Sequence, residues 1–356
     1  MANPPDGPDD RALESELAAL ARATLGGELA GCQPIRGGLG HRRFFRLTLR
    51  GAAVASAVAR IDRGEPAPGV LPEPPLEPIR AFLERAGLPV PRRLGGDPGA
   101  GIDLLEDLGS RSLAAICATL DADLRGALYR EACDLVPRLQ ALREPAGGLA
   151  AFHRRLDAET LRVKGRRFAG ASLPAGLARE PRAAEVAVVR DAFEALIQAL
   201  AGAPGRLAHR DFQGANLLVD ATRPRGARIA MIDLQGAFLA PPEYDLVCLL
   251  RDSYVTLPEV EVSALLSRVR PRLPDAPDPD TFSRRFDLLT LARKSKDHAL
   301  FHEVAARGDR SWLRFAPATL ASLRAAGARS APLDARLARF AELIAGFAPE
   351  DAPCAR

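Results

Sequence analysis

The sequence predicts an α+β chain in two lobes, a small antiparallel-sheet N-lobe and a mostly helical C-lobe. Three observations carry this. Strand-like segments separated by glycine turns are crowded into residues 35–109. From Ser112 onward apolar residues recur mainly at helical spacing. The helical pattern is interrupted by two short apolar runs, Leu217-Leu218-Val219 and Ile229–Ile232, around a turn. At 356 residues and 47% apolar content the chain can fill two cores. The boundaries read as a disordered tail over 1–10, an N-lobe over 11–109 and a C-lobe over 110–350.

Leu13, Leu17, Leu20 and Leu25 define an amphipathic helix after Asp9-Asp10. A Gly-rich turn containing Gly37, Gly38 and Gly40 leads into a strand ending near Leu47, and Gly51 turns the chain into a second strand over 53–61. Five prolines make 62–75 a loop. A helix over 77–86 follows, with Pro78 in its first turn, where a missing N–H costs nothing. A strand pair then ends in Leu104-Leu105-Glu106-Asp107-Leu108-Gly109. Helices are expected over 112–119, 122–144, 157–168 and 183–202, then at 245–251, 259–270, 278–306, 312–325 and 332–347.

Composition narrows the function. A net charge of +4 does not call for a nucleic-acid partner. Only three of the 49 basic residues are lysines: Lys164, Lys294 and Lys296. Five cysteines without a C-x-x-C spacing fit free thiols in a reducing cytoplasm. No signal pattern and no membrane-length apolar stretch is visible. The expectation is a cytoplasmic monomer acting on a small molecule.

Residues 209–216 read His-Arg-Asp-Phe-Gln-Gly-Ala-Asn, and an apolar run later ends in Met231-Ile232-Asp233-Leu234-Gln235. This is the polar equipment of phosphoryl transfer, which needs an aligned hydroxyl, an aligned triphosphate and charge neutralisation rather than covalent help. Asp211 would orient the acceptor hydroxyl or act as base. Asn216 and Asp233 offer Mg²⁺ the hard oxygens it prefers. A hairpin between the two apolar runs would bring Asn216 and Asp233 to the same end. His209 reads as a buried structural residue. Asp245 reads as a helix cap or as a brace for the loop backbone.

The turn at Gly38 and Gly40 is not a Walker loop, which would need Gly-Lys-Ser/Thr. It suits a kinase N-lobe, and the strand running into Glu106 and Leu108 suits a hinge whose backbone meets an adenine edge. A protein kinase also uses a strand lysine on the phosphates. No lysine precedes Lys164. Either catalysis has been lost, or Arg43, Arg46 or Arg60 supplies the charge. Glu77 and Glu84 are the candidate partner carboxylates.

These residues resemble the aminoglycoside phosphotransferase and choline kinase group. Within it, they look most like the anomeric kinases of N-acetylmuramate and N-acetylglucosamine in cell-wall (peptidoglycan) recycling. The carriers are Arg42–Arg46, Leu104–Gly109, His209–Phe212 with Asn216, Ile232–Gln235, Pro242–Val247 and Leu249–Val255. The resemblance implies a protein-kinase-like fold, ATP and Mg²⁺ as cofactors, and transfer to the C1 hydroxyl of an amino sugar. It adds Gln235, Arg293 and Lys296 as candidate substrate residues. Arg293 and Lys296 are three apart and share one helix face, turned either to an anionic substrate or to the Tyr244-Asp245-Leu246 region, or simply solvated. The chain departs from the group at Gly236, at Gln213-Gly214 and at Lys164-Gly165-Arg166-Arg167. Two other functions stay open: an aminoglycoside-type or other hydroxyl phosphotransferase, and a nucleotide-binding pseudokinase.

Overall fold

The computed structural model describes residues 8–35, 42–63, 73–274 and 276–348. It divides into two compact units. One takes the chain up to Ser110 together with Ala230–Gln235; the other takes Arg111–Ile229 and the chain from Gly236 onward.

The sheet unit contains α1 (Pro8–Leu25), β1 (Glu28–Ile35), β2 (Arg43–Arg50), β3 (Ser56–Ile61), α2 (Leu76–Arg85), β4 (Arg93–Asp97) and β5 (Ile102–Glu106). The strands form one antiparallel sheet in the order β1-β2-β3-β5-β4. Leu13, Leu17 and Ala21 of α1 pack on Phe45, Leu47, Leu49, Ala57, Ala59, Ile61, Ile102 and Leu104. Each fully buried large apolar side chain contributes roughly 1.5–3 kcal/mol. Because side chains alternate along a strand, this leaves Arg46, Val58, Arg60 and Asp103 on the opposite face. Helix α1 starts at Pro8 rather than after Asp10, since proline is tolerated in a first helical turn. The expected tail over 1–10 is therefore shortened. The second predicted strand begins at Ser56, because residues 51–55 are used by a turn with Gly51 at φ +71° and a Leu49 N–H bond to the Ala55 carbonyl. β1 escaped the sequence reading because its burial does not alternate. The Gly38 and Gly40 turn lies outside the described residues.

The helical unit begins with α3 (Leu113–Ile116), α4 (Ala122–Gln140), α5 (Ala158–Arg167), α6 (Leu173–Leu177) and α7 (Ala183–Leu200). Four short strands follow: β6 (Arg206–Ala208), β7 (Leu217–Val219), β8 (Ile229–Met231) and β9 (Phe238–Ala240). Then come α8 (Tyr244–Leu250), α9 (Glu259–Val269), α10 (Pro279–Ala306), α11 (Ala316–Ser330) and α12 (Ala335–Ala345). Side chains of Ser112, Asp121, Asp157, Asp278 and Asp334 accept N–H bonds at five helix starts. The helix expected over 312–325 is instead a 3₁₀ turn, Arg310–Phe315, followed by α11, with Pro317 in the first turn of α11. The helix over 157–168 continues through a π turn, Phe168–Ser172, into α6, which ends at Ala178 with φ +52°.

Two ladders frame the functional loop. β7 and β8 form a two-stranded sheet, and the hairpin is closed within the helical unit by the Asp220 N–H to the Arg228 carbonyl at 2.9 Å. Arg228, buried, also pairs with Glu131 of α4. β6 pairs antiparallel with β9 in the register Leu207↔Leu239. This sets the start of the loop, His209, beside the chain that runs through Pro241-Pro242 into α8.

Candidate active site

The loop 209–216 is braced from below by two carboxylates. Asp245, buried in the first turn of α8, accepts the backbone N–H of His209 at 2.7 Å and of Arg210 at 3.1 Å. Burial pushes its carboxyl up to about 6, against the lowering pull of His209 and these two bonds. Asp252 accepts the N–H of Gly214 at 2.8 Å and of Tyr254 at 2.9 Å. A side chain at Gly214 would press its Cβ to 3.0 Å from the Ala114 nitrogen and 3.2 Å from this carboxylate, so any larger residue would force these neighbours to give by a few tenths of an ångström. Arg210 sits at φ +80°, a region costly for any residue that carries a Cβ. His209 is buried with its ring edge-on to Phe212, 5.8 Å between centroids.

Asp211 is one-quarter exposed and is gripped by Arg293 of α10. The Arg293 guanidinium donates to Asp211 Oδ1 at 2.9 Å, to the Arg210 carbonyl at 3.0 Å and to Gln213 Oε1 at 3.3 Å. Behind it, Asp297 pairs with Arg293 at 3.2 Å, with Lys294 at 2.8 Å and with Lys296 at 3.4 Å. Lys294 also donates to Ser253 at 2.8 Å. Burial alone would raise the Asp211 carboxyl. Arg293, then Lys296 and Arg210, outweigh it and hold Asp211 well below the usual carboxylate range. Lys164 lies over the Tyr244 ring and donates to its hydroxyl at 3.3 Å; burial, then Arg293 and Lys296, push its amine down to about 7.

The basic residues of α10 are therefore not a solvated face. Arg293 is 3% exposed and Lys294 1%, while Lys296 keeps 24% of its side chain open. Arg293 turns to the loop rather than outward, because Asp211 and Asp297 together compensate its buried charge. Sequence reasoning missed Asp252, Asp297 and Lys294. For Lys294 and Asp297 the signal was the density of charge from Arg293 to Asp297 within one apolar helix.

Asn216 donates Nδ2–H to the Asp211 carbonyl at 2.9 Å. An acceptor there fixes which end is nitrogen, so the amide oxygen faces away from that bond. In the sheet unit, Asp233 adopts φ +65°, which aspartate tolerates better than most residues. Its Oδ1 accepts from Gln235 Nε2 at 2.6 Å, and the same nitrogen lies 3.1 Å from Glu73 Oε2. Gln235, 4% exposed, thus bridges two carboxylates with its amide nitrogen. The oxygens left on Asn216 and Asp233, amide and carboxylate, are of the hard type that suits Mg²⁺.

The nucleotide candidates of the sheet unit are heavily engaged. Arg46 makes a two-pronged pair with Asp107, at 2.8 and 3.1 Å, and Asp107 also accepts the Gly109 N–H. Arg60 is buried and bonds Asp62 and Asp103. Arg43 is exposed, its guanidinium 5.0 Å over the Phe45 ring. Glu106 pairs with Arg92, and Leu108 is half-buried beyond β5. Glu77 and Glu84 both grip Arg80 of their own helix, so neither is simply an open partner for a strand cation. Arg42, outside the candidate set, donates to Asp62 at 2.9 Å and Glu73 at 3.0 Å.

An antiparallel sheet unit, a helical unit and a braced His-x-Asp-x-x-x-x-Asn loop define a kinase-like phosphotransferase. Residues 31–277 match the phosphotransferase enzyme family, and the chain belongs to it. Among curated relatives, it is 29% identical over 286 residues to the N-acetylmuramate/N-acetylglucosamine kinase of Pseudomonas aeruginosa, covering 77% of this chain and 80% of that one. It is 28% identical to the enzyme of that name from Neisseria meningitidis, covering 85% and 87%. Among solved structures it resembles a choline kinase of Streptococcus pneumoniae, with a TM-score of 0.60 and 15% identity over 88% of this chain and 99% of the other. An aminoglycoside phosphotransferase solved with GDP and kanamycin superposes with a TM-score of 0.59 at 14% identity, over 88% and 99%. These two likenesses establish the protein-kinase-like fold. Among the described residues no helix is long and apolar enough to cross a membrane.

Proposed function

We propose that the protein transfers the γ-phosphoryl group of ATP to the anomeric C1 hydroxyl of N-acetylmuramate or N-acetylglucosamine. The observation that carries this is Asp211, ionised and fixed by Arg293. A carboxylate held so far below neutrality is a weak base, suited to orienting a hydroxyl rather than stripping an ordinary alcohol. The anomeric hydroxyl is more acidic than other sugar hydroxyls, so orientation with partial proton acceptance is enough. The sugar oxygen forms a bond to the γ-phosphorus, the bond from that phosphorus to the β,γ-bridging oxygen breaks, and ADP leaves. Asn216 and Asp233 are the residues that would hold Mg²⁺, which would supply charge neutralisation for the phosphates. The names of the curated relatives support the amino-sugar class.

The charge around Asp211 supports the same choice. Arg210, Arg293, Lys294 and Lys296 match Asp211, Asp245, Asp252 and Asp297 around the loop, so it carries no excess of negative charge of the kind that would draw a polycationic aminoglycoside. Lys296, more open than Arg293 and Lys294, remains the candidate contact for an anionic substituent on the sugar.

The test compares each reducing sugar with its methyl glycoside in an ADP-release assay and locates the phosphate by ³¹P NMR. Turnover of the reducing sugar alone, with phosphate on C1, is expected. Equal turnover of the glycoside, or phosphate on C3 or C6, overturns the anomeric assignment. Turnover only with amine-bearing alcohols overturns the amino-sugar class.

A further inference from the structure

The chain lacks a lysine in its sheet unit, yet that unit holds a continuous polar relay that begins at Asp233. Its first link is Gln235 Nε2, 2.6 Å from Asp233 Oδ1 and 3.1 Å from Glu73 Oε2. Both neighbours are acceptors when ionised, so the group between them must be the NH₂, donating one hydrogen to each. Glutamine is suited to this place because it is neutral and carries two donors on one atom. Without it, two carboxylates would face each other with no donor between them and repel.

The relay continues from Glu73. Arg42 donates to Glu73 Oε2 at 3.0 Å and to Asp62 Oδ2 at 2.9 Å. Arg60 joins Asp62 to Asp103, its directly paired neighbour on β5. Carboxylates and guanidiniums therefore alternate from Glu73, three residues before α2, to the middle of the sheet. Glu73 is the node: it touches the glutamine on one side and the arginine chain on the other. A protein kinase uses one lysine–glutamate pair to tie its sheet to its helix. Here Arg42, just before β2, and Glu73, just before α2, form an ion pair, which Gln235 extends to Asp233.

We propose that Glu73 and Gln235 are positioning residues for Asp233, Gln235 by a direct bond and Glu73 through Gln235, together holding its carboxylate in one rotamer. This rests on the reading of Asp233 as a metal ligand. Loss of an outer partner of a metal ligand commonly weakens metal binding about 10–100-fold.

The experiment measures ADP binding by calorimetry, with and without Mg²⁺, for the full chain and for Glu73→Ala, Gln235→Ala, Asp233→Ala and the double variant Gln235→Ala/Asp233→Ala. Thermal unfolding of each, without ligand, shows that it is folded. The positioning role requires Gln235→Ala and Glu73→Ala to lose about tenfold in Mg²⁺-dependent affinity while Mg²⁺-free affinity stays as in the parent. It also requires Gln235→Ala to add nothing once Asp233 is gone. Equal losses with and without Mg²⁺, or full additivity in the double variant, would falsify the relay and leave the metal reading intact. A parent-like Mg²⁺ response in Asp233→Ala removes the metal reading, and the relay with it. Should an alanine variant fail to fold, Glu73→Gln and Gln235→Met keep the side-chain volume and are held to the same criteria.

Discussion

At the scale of single residues, the pairing of Asp211 with Arg293 decides the chemistry. One arginine meets the carboxylate, the carbonyl beside it and the Gln213 amide. A lysine offers a point charge and cannot reproduce that fork. Replacing Arg293 with Met removes the cation that offsets burial, so the Asp211 carboxyl rises toward or above its ordinary range. In the parent, Asp211 stays ionised until the pH falls well below the ordinary carboxylate range, so its protonation does not limit activity near neutrality. In Arg293→Met the acid limb of kcat/KM moves to higher pH, and kcat drops roughly 10²-fold, as a displaced reacting group costs. A pH profile of the variant checks this; an acid limb superimposable on the parent's would show that Arg293 does not govern Asp211. The Asp211–Asn216–Asp233 set was legible in the sequence because its members are local and their spacing is characteristic. The partners on α10 were not, because a charged helix residue reads as solvated until something buried is shown to face it.

At the scale of elements, α8 and the loop it carries behave as one piece. Asp245 accepts two backbone N–H groups of the loop, and Cys248, one turn on, donates to the Arg210 carbonyl at 3.3 Å. Asp245→Ala leaves both donors unsatisfied inside the protein and costs on the order of 2 kcal/mol or more. Urea unfolding at pH 7 measures it, and a parent-like midpoint would remove the bracing role. The pH dependence has a definite sign. The folded carboxyl, at about 6, lies above its ordinary 3.8, so the folded state keeps the proton longer. This group's contribution to stability is full below about 3.8, declines as pH rises through that window and is flat above about 6. The alanine variant lacks that slope. Helix positions in this unit were readable from periodicity and capping residues. The ends were less so: α4 stops at Gln140 rather than at 144, and the π turn after α5 has no periodic signature.

At the scale of the whole molecule, the sheet-then-helix order was visible, but not the membership of Ala230–Gln235. Sequence order places Asp233 in the helical part, whereas contacts place it with the sheet unit. Only the long-range bonds to Glu73 and Pro89 reveal this, and no local pattern encodes them. A different consequence follows from the burial of the lysines. All three lie in α5 or α10: Lys164 is 8% exposed, Lys294 1%, and Lys296 keeps about a quarter of its side chain open. A protease that cuts only after lysine therefore has no extended, accessible substrate in the native chain, while one that cuts after arginine has many surface sites. Cleavage by the first enzyme becomes a clock for opening of the helical unit. In buffer the chain should outlast an arginine-directed digest many-fold, and urea should bring the two rates together. Rapid lysine-directed cutting without denaturant would mean that α5 or α10 opens on its own, exposing the braces of the functional loop to water.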